Sequence, residues 1–214
     1  MVTWDALPRP WQVCLEEAWA AYCAGSLPIG ACVADVEGNI LSRGRNRIAE
    51  TAGEAPYIFN DELAHAEINA LLAIQSEYEA RHTATLYTTT EPCPLCLGAF
   101  YMSGIRTLRY AAREPFAGST NLLGTTPYLS RKPIRVYGPP GPFLEALVTA
   151  LYTVWDRETR DDRHNLVLKA MREMIPDGVA LGERLQQAGL LRQMRVRGCT
   201  AAHMFDSIIG MSTA

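Results

Sequence analysis

Between Pro10 and Gly25 the apolar residues return every three or four positions. Trp11, Leu15, Ala18, Trp19 and Tyr22 share one side, so the spacing predicts a helix over Trp11–Ala24, opened by Pro10 and stopped by Gly25. The pattern then changes to β-rich runs. Ile29–Val36 and Asn39–Asn46 read as strands around a Glu37-Gly38 turn, which makes a hairpin. Ala49–Glu62, with Gly53 and Pro56, reads as a loop. Helical spacing resumes over His65–Tyr78, where Ile68, Leu71, Leu72 and Ile74 form the apolar set. Thr83–Thr90 reads as a strand, Pro94–Met102 as a short helix ended by Gly104, and Thr107–Ala111 as a strand. After a loop over Glu114–Ser130 come a short strand at Ile134–Tyr137 and a helix over Pro142–Arg157.

Alternating strands and helices argue for an α/β fold whose sheet is covered on both faces. The pattern divides the chain into a domain over residues 1–157 and a helical extension over 158–214. Within the extension, Asp161–Met174 and Gly178–Met194 read as two helices parted by Pro176-Asp177-Gly178. The expected role of the extension is to pack on the domain or at a dimer interface.

Composition adds exclusions. The 214 residues are 48% hydrophobic and 20% charged, ordinary values for a globular chain. No apolar run reaches the roughly 20 residues that span a bilayer, and Met1–Pro10 has no signal-peptide core, so a cytoplasmic address is expected. The formal net charge is −3, with only two lysines, Lys132 and Lys169. That balance argues against nucleic acid as the main partner, since such binding is largely phosphate neutralisation. Arg184, Arg192, Arg195 and Arg197 form a local basic set that a solvated helix face explains equally well. Of the six cysteines, Cys14, Cys23, Cys32 and Cys199 are isolated and read as small buried hydrophobes.

Cys93 and Cys96 are different. They stand in Pro92-Cys93-Pro94-Leu95-Cys96 at the start of a predicted helix, where one turn brings both sulfurs to one side. A helix N-terminus favours thiolate over thiol. His65-Ala66-Glu67 opens another predicted helix. Imidazole and thiolates suit zinc, and three protein ligands leave a fourth, open position of the catalytic kind. A water there would be acidified toward neutrality. Glu67 is then the candidate proton carrier, provided that His65 sits at the helix cap and Glu67 reaches round, because i and i+2 do not share a helix face. Two other readings compete. A redox C-x-x-C lacks a companion signal. A closed structural zinc site would need a fourth ligand from Cys14, Cys23, Cys32, Cys199, His82, His164 or His203, none of which has paired spacing.

The combination H-x-E…P-C-x-x-C marks zinc deaminases. From about Leu27 to Ala111 the chain resembles the purine-type branch of the cytidine deaminase-like superfamily, which includes bacterial guanine deaminases and tRNA adenosine deaminases. The resemblance rests on Leu27-Pro28-Ile29-Gly30-Ala31, Gly44-Arg45-Asn46-Arg47, Ala64-His65-Ala66-Glu67-Ile68 and Glu91-Pro92-Cys93-Pro94-Leu95-Cys96-Leu97-Gly98-Ala99, in that order. It implies a three-layer α/β/α sandwich around a five-stranded mixed sheet, one zinc ion per chain on His65, Cys93 and Cys96, Glu67 as catalytic residue, and a homodimer. It also implies substrate contacts from the Asn46 side chain and the Ala66 backbone N–H.

The expected reaction is hydrolytic removal of ammonia from a small amino-heterocycle: a nucleobase, a nucleoside or an analogue. A tRNA adenosine-to-inosine deaminase is the alternative with the same apparatus, and a non-catalytic zinc module for assembly is the alternative of another class. Tyr57, Phe59, Phe116 and Trp155 are the aromatic candidates for the substrate wall.

Overall fold

The computed structural model describes residues 3–160 and 166–212. A five-stranded mixed sheet has the order β2-β1-β3-β4-β5, formed by β1 (Gly30–Ala34), β2 (Ile40–Arg45), β3 (Thr85–Thr90), β4 (Thr107–Ala112) and β5 (Arg135–Tyr137). β1 pairs antiparallel with β2 and β3, while β3, β4 and β5 run parallel. The hairpin between β1 and β2 turns on Asp35, whose Oδ1 accepts the backbone N–H groups of Glu37 and Asn39 at 2.9 and 2.8 Å. An Asx-type turn of this sort explains why β1 stops before Asp35 and does not continue to Val36.

The sheet side chains alternate between two cores. Cys32, Tyr87 and Ala111 face α1 (Arg9–Cys23) and α4 (Pro142–Thr159). Ala31, Val33, Leu86 and Leu108 face α2 (Ala66–Leu72) and α3 (Pro94–Met102). The result is the expected three-layer α/β/α sandwich. Outside α1 and α4 lies the helical tail, made of α5 (Leu166–Met174), α6 (Pro176–Gln187), α7 (Leu190–Val196) and α8 (Ala201–Ser212). Among the described residues, no helix is long and apolar enough to cross a membrane.

Several expected boundaries move. The helix expected over His65–Tyr78 ends at Leu72, where the Ser42 hydroxyl of β2 binds the Ala70 carbonyl at 2.7 Å. Residues Ala80–Thr83 then form a 3-10 turn, so β3 begins at Thr85. The helix expected from Pro142 runs to Thr159, past the proposed boundary at 157. The start of the helix expected at Asp161 lies outside the described residues.

The tail departs most from expectation. Pro176, Asp177 and Gly178 do not separate helices; they are the first turn of α6, with Pro176 at its N-terminal position. Gly178 is needed for packing: a Cβ there would lie 2.6 Å from the Thr149 Cβ of α4. The break comes instead at Gly189, whose φ of 61° ends the helical path and starts α7. The last helix, α8, has no counterpart in the expected elements.

Candidate metal and active site

Two helix starts carry the chemistry. His65 is the N-cap of α2, with extended backbone at φ −73° and ψ 154°. Glu67 lies within the first turn, so the two side chains leave different parts of the helix end and enter one pocket. This meets the geometric condition set by the i and i+2 spacing. Cys93 is likewise the N-cap of α3, Pro94 follows it, and Cys96 lies one turn in. β3 delivers Cys93, because Glu91 still pairs with β4 through an N–H to the Ala112 carbonyl at 2.8 Å. Asn69 anchors α2 from behind: its Nδ2 donates to the carbonyls of Arg45 and Ile58, each at 3.1 Å, and its Oδ1 accepts the Ile58 N–H at 2.8 Å.

His65 Nδ1 stands 3.3 Å from the Cys96 Sγ and 3.6 Å from the Cys93 Sγ. The three donor atoms lie within 4.8 Å of one another, and they form the sole such group of three or more ligand residues among the described residues. Tetrahedral zinc with ordinary Zn–N and Zn–S lengths would separate neighbouring donors by roughly 3.5–3.8 Å. Donor type and spacing therefore fit zinc. Cys14 and Cys32 bind each other at 3.7 Å between sulfurs, in the core. Contrary to the expectation of burial, Cys23 is exposed. His164 lies outside the described residues.

The electrostatics suit the same reading. A hydrogen bond from Cys96 and the nearby His65 overcome burial and hold the Cys93 thiol down at about 4, while Cys96 keeps its proton, with a pKa pushed far up by that bond and by burial. The hydrogen bond to Cys93 raises His65 against its own burial. One thiolate is thus present before any cation arrives. Glu67 is buried, and burial raises its pKa; the Thr88 hydroxyl, donating to Oε1 at 2.8 Å, works in the opposite sense. Its second oxygen, Oε2, lies 3.2 Å from the Cys96 sulfur, against the ligand cluster.

A cavity of about 180 Å³ opens onto this cluster. Leu27 and Ile29 form an apolar wall, Glu114 comes from the loop after β4, and Tyr152, Arg160 and Val167 come from α4 and the tail. Two expected substrate residues, Asn46 and Ala66, are not among the residues that line the cavity. Asn46 is buried just beyond β2, its N–H bonded to the carbonyl of cavity residue Ile29 at 3.0 Å and its Oδ1 accepting the Ile48 N–H at 3.2 Å. Ala66 is the fully buried first residue of α2. Trp155 does not line the cavity: its indole N–H is spent on the Gly25 carbonyl at 3.1 Å. Tyr152, one turn earlier, is the aromatic wall residue. Tyr57 lies under the Arg47 guanidinium, Phe59 packs on Gly53, and Phe116 is exposed. The sequence reading missed Glu114, Tyr152 and Arg160. Glu114 had a usable signal, a carboxylate just after a strand that runs parallel to the one delivering Cys93.

Residues 8–112 match a family model described as the cytidine and deoxycytidylate deaminase zinc-binding region. A probable cytosine deaminase of Schizosaccharomyces pombe is 30% identical over 126 residues, which are 54% of this chain and 72% of that protein. The chain belongs to the cytidine and deoxycytidylate deaminase family. It is a hydrolase acting on C–N bonds, in a family described as zinc-binding. Other members divide by substrate. A tRNA-specific adenosine deaminase of Agrobacterium fabrum is 35% identical over 111 residues, 50% of this chain and 66% of that one. A solved guanine deaminase from Nitrosomonas europaea superposes with a TM-score of 0.55 at 26% identity, covering 69% of this chain and 84% of its own. Family membership therefore gives the reaction class and leaves the substrate open.

Proposed function

We propose that this deaminase removes ammonia hydrolytically from a small amino-heterocycle, a nucleobase or close analogue, and not from tRNA. The observation that carries the reading is the cavity itself: it sets the His65–Cys93–Cys96 cluster and the Glu67 carboxyl group at one end of a space of about 180 Å³. That is below the about 300 Å³ at which pockets for drug-sized ligands begin. A flipped base of tRNA would fill the same space, so what sets tRNA aside is the overall charge of −3.

In this reading His65, Cys93 and Cys96 would hold one zinc ion, which would supply the Lewis acidity that makes water a nucleophile near neutrality. Glu67 takes a proton from the attacking water through the oxygen left unbound by Thr88. The same carboxyl group passes protons to a ring nitrogen and then to the departing amine, so that amino-heterocycle and water become oxo-heterocycle and ammonia. Burial raises its pKa, which helps it keep the proton it takes until it is returned. The Asn46 side chain and the Ala66 N–H orient the ring. The Leu27 and Ile29 wall excludes bulk water.

The reading includes a homodimer, for which Leu95 and Met102 on α3 offer exposed apolar surface. Light scattering should then give twice the 23.6 kDa chain mass. Zinc-loaded protein is expected to release ammonia from at least one of guanine, adenine, cytosine and their nucleosides. Glu67→Ala should abolish that release and keep its zinc. Inosine formation on tRNA, lost steeply with salt, would replace this reading with the tRNA one. A Glu67→Ala protein indistinguishable from wild type would leave only an assembly module.

A further inference from the structure

The loop after β4 is held with unusual care for a surface connection. Glu145 of α4 grips Arg113 three ways: Oε1 accepts its backbone N–H at 3.2 Å and its Nε at 2.7 Å, and Oε2 accepts Nη2 at 3.0 Å. Glu91 Oε2 accepts the Glu114 N–H at 3.4 Å. Glu114 is then fixed by its own side chain, since Oε1 accepts the N–H groups of Phe116 and Ala117 at 2.9 and 3.3 Å. Its other oxygen, Oε2, receives no hydrogen bond among the described residues, and Glu114 lines the cavity. The one arginine among the described lining residues does not pair with it. Arg160 lies 3.7 Å from Asp156 Oδ1 and 3.5 Å from the Tyr152 hydroxyl, over the Trp155 ring.

A half-buried carboxylate oxygen, fixed at the wall of a largely apolar cavity and given no donor by the described residues, stands ready to accept one from a ligand that fills the cavity. We propose that Glu114 is a specificity-determining residue, accepting a ring N–H of the substrate and thereby selecting free heterocyclic bases over N-substituted ones. The inference rests on the deaminase reading above. A free purine or pyrimidine base carries an N–H where a nucleoside carries its sugar. Substitution removes the donor and adds bulk in a cavity that Tyr152, Arg160 and Val167 already narrow. Glu114 is half-buried, and an acceptor that a substituted ring shields from water without supplying a donor adds to the penalty of its bulk.

The test compares matched pairs on zinc-loaded protein: guanine with 9-methylguanine, adenine with 9-methyladenine, cytosine with 1-methylcytosine. Wild type should favour the free base by more than 10-fold in kcat/KM. Glu114→Gln keeps an oxygen for Phe116 and Ala117 but presents an NH2 donor where Oε2 stood. It should lower kcat/KM on the free base by about 10- to 100-fold, mostly through KM, as expected for a lost hydrogen bond to a charged group. The rate on the methylated partner should change little, so the discrimination collapses. A merely structural role would lower both members of each pair together and keep their ratio, and that result overturns the assignment. Wild-type silence on every base would instead remove the deaminase reading, and this inference with it.

Discussion

Glu67 shows how one side chain can be both held and available. Thr88, fully buried on β3, donates to one carboxylate oxygen, and the other faces the ligand cluster. Thr88→Val removes the donor without changing the shape much. The Thr88 bond favours ionised Glu67, whereas burial opposes it. Its loss should therefore raise the Glu67 pKa further, and the acid limb of the pH–rate profile should move to higher pH. Leaving a buried acceptor unmet costs about 1–3 kcal/mol, so kcat at neutral pH should fall roughly 10- to 100-fold while zinc content stays at one per chain. An unmoved acid limb would show that Thr88 does not set this proton. Cys93 offers a second check at this scale. With its thiol near 4, it is ionised throughout pH 6–8. Cys23 is exposed, but partial burial raises its pKa above the ordinary thiol value, so its thiolate fraction should grow about tenfold per pH unit. In zinc-stripped protein, iodoacetamide should label Cys93 at a rate nearly independent of pH and Cys23 at a rate that climbs. Zinc should protect Cys93 alone. Equal pH slopes at the two sites would contradict the charge distribution of the cluster.

At the scale of elements, legibility followed the range of the interaction that decides each boundary. The β1–β2 hairpin, α1, α3 and both ligand-bearing helix starts rest on local signals, namely periodicity, Pro at a first turn and Asp or Gly at a bend. They were readable to within a few residues, and so was the gathering of His65, Glu67, Cys93 and Cys96 at one cavity. At the premature end of α2 the Ala70 carbonyl meets Ser42, distant in sequence, a contact with no local signature. The cavity wall of Glu114, Tyr152 and Arg160 is assembled from segments that only the folded chain brings together. Trp155 and Tyr152 sit on adjacent turns, and periodicity cannot say which indole or phenol faces the cavity and which meets Gly25. α8 did have a local signal in Met204, Phe205, Ile208 and Ile209, with Thr200 Oγ1 accepting the His203 N–H at its start. Gly178 was misleading because glycine marks a breaker and a close helix crossing alike. Gly182 makes that distinction testable. A Cβ there would lie 2.5 Å from the Thr153 Cβ and 2.8 Å from the Ala150 carbonyl, both on α4. Among the described residues, a Cβ at Gly210 in α8 would meet nothing within 4 Å. Helix propensity favours alanine at both sites by about 1 kcal/mol. At Gly182 the backbone clash should win, with a net loss of about 1–3 kcal/mol and a Tm fall of about 3–10 °C. Gly210→Ala should raise Tm slightly. Thermal unfolding of the two variants checks the opposite signs.

For the whole molecule, the question is whether the tail after residue 160 is an attachment or part of the core that the described residues form on its side of the sheet. The cluster containing Trp11, Leu15 and Cys32 continues without interruption through Leu147 and Leu151 of α4 to Leu185, Leu191 and Phe205 of the tail. Its two chain ends meet: the Phe205 ring lies 5.6 Å from both Trp4 and Phe143, each edge-on, and the Trp19 indole donates to the Cys199 carbonyl at 2.7 Å. Such a layout predicts one cooperative unit rather than a domain carrying an accessory. Phe205 is fully buried, so Phe205→Ala should cost about 3–5 kcal/mol, with cavity formation adding to the lost transfer energy. At about 2–4 °C per kcal/mol for a chain of this size, Tm should fall by about 6–20 °C in a single transition. The His65–Cys93–Cys96 cluster should melt in that same transition, because α4 contributes both to the core and, through Tyr152, to the cavity. Zinc release recorded alongside circular dichroism tests this. Coincident curves, shifted together by the substitution, are the expected outcome. If the tail instead melted first, with zinc retained by a still-folded sandwich, the extension would be an independent unit and the cavity wall at Val167 would be dispensable. Deleting everything after Arg160 separates the cases from the other side. It strips the apolar outer face of α4, and the shortened chain should aggregate or lose its cooperative transition even with zinc present.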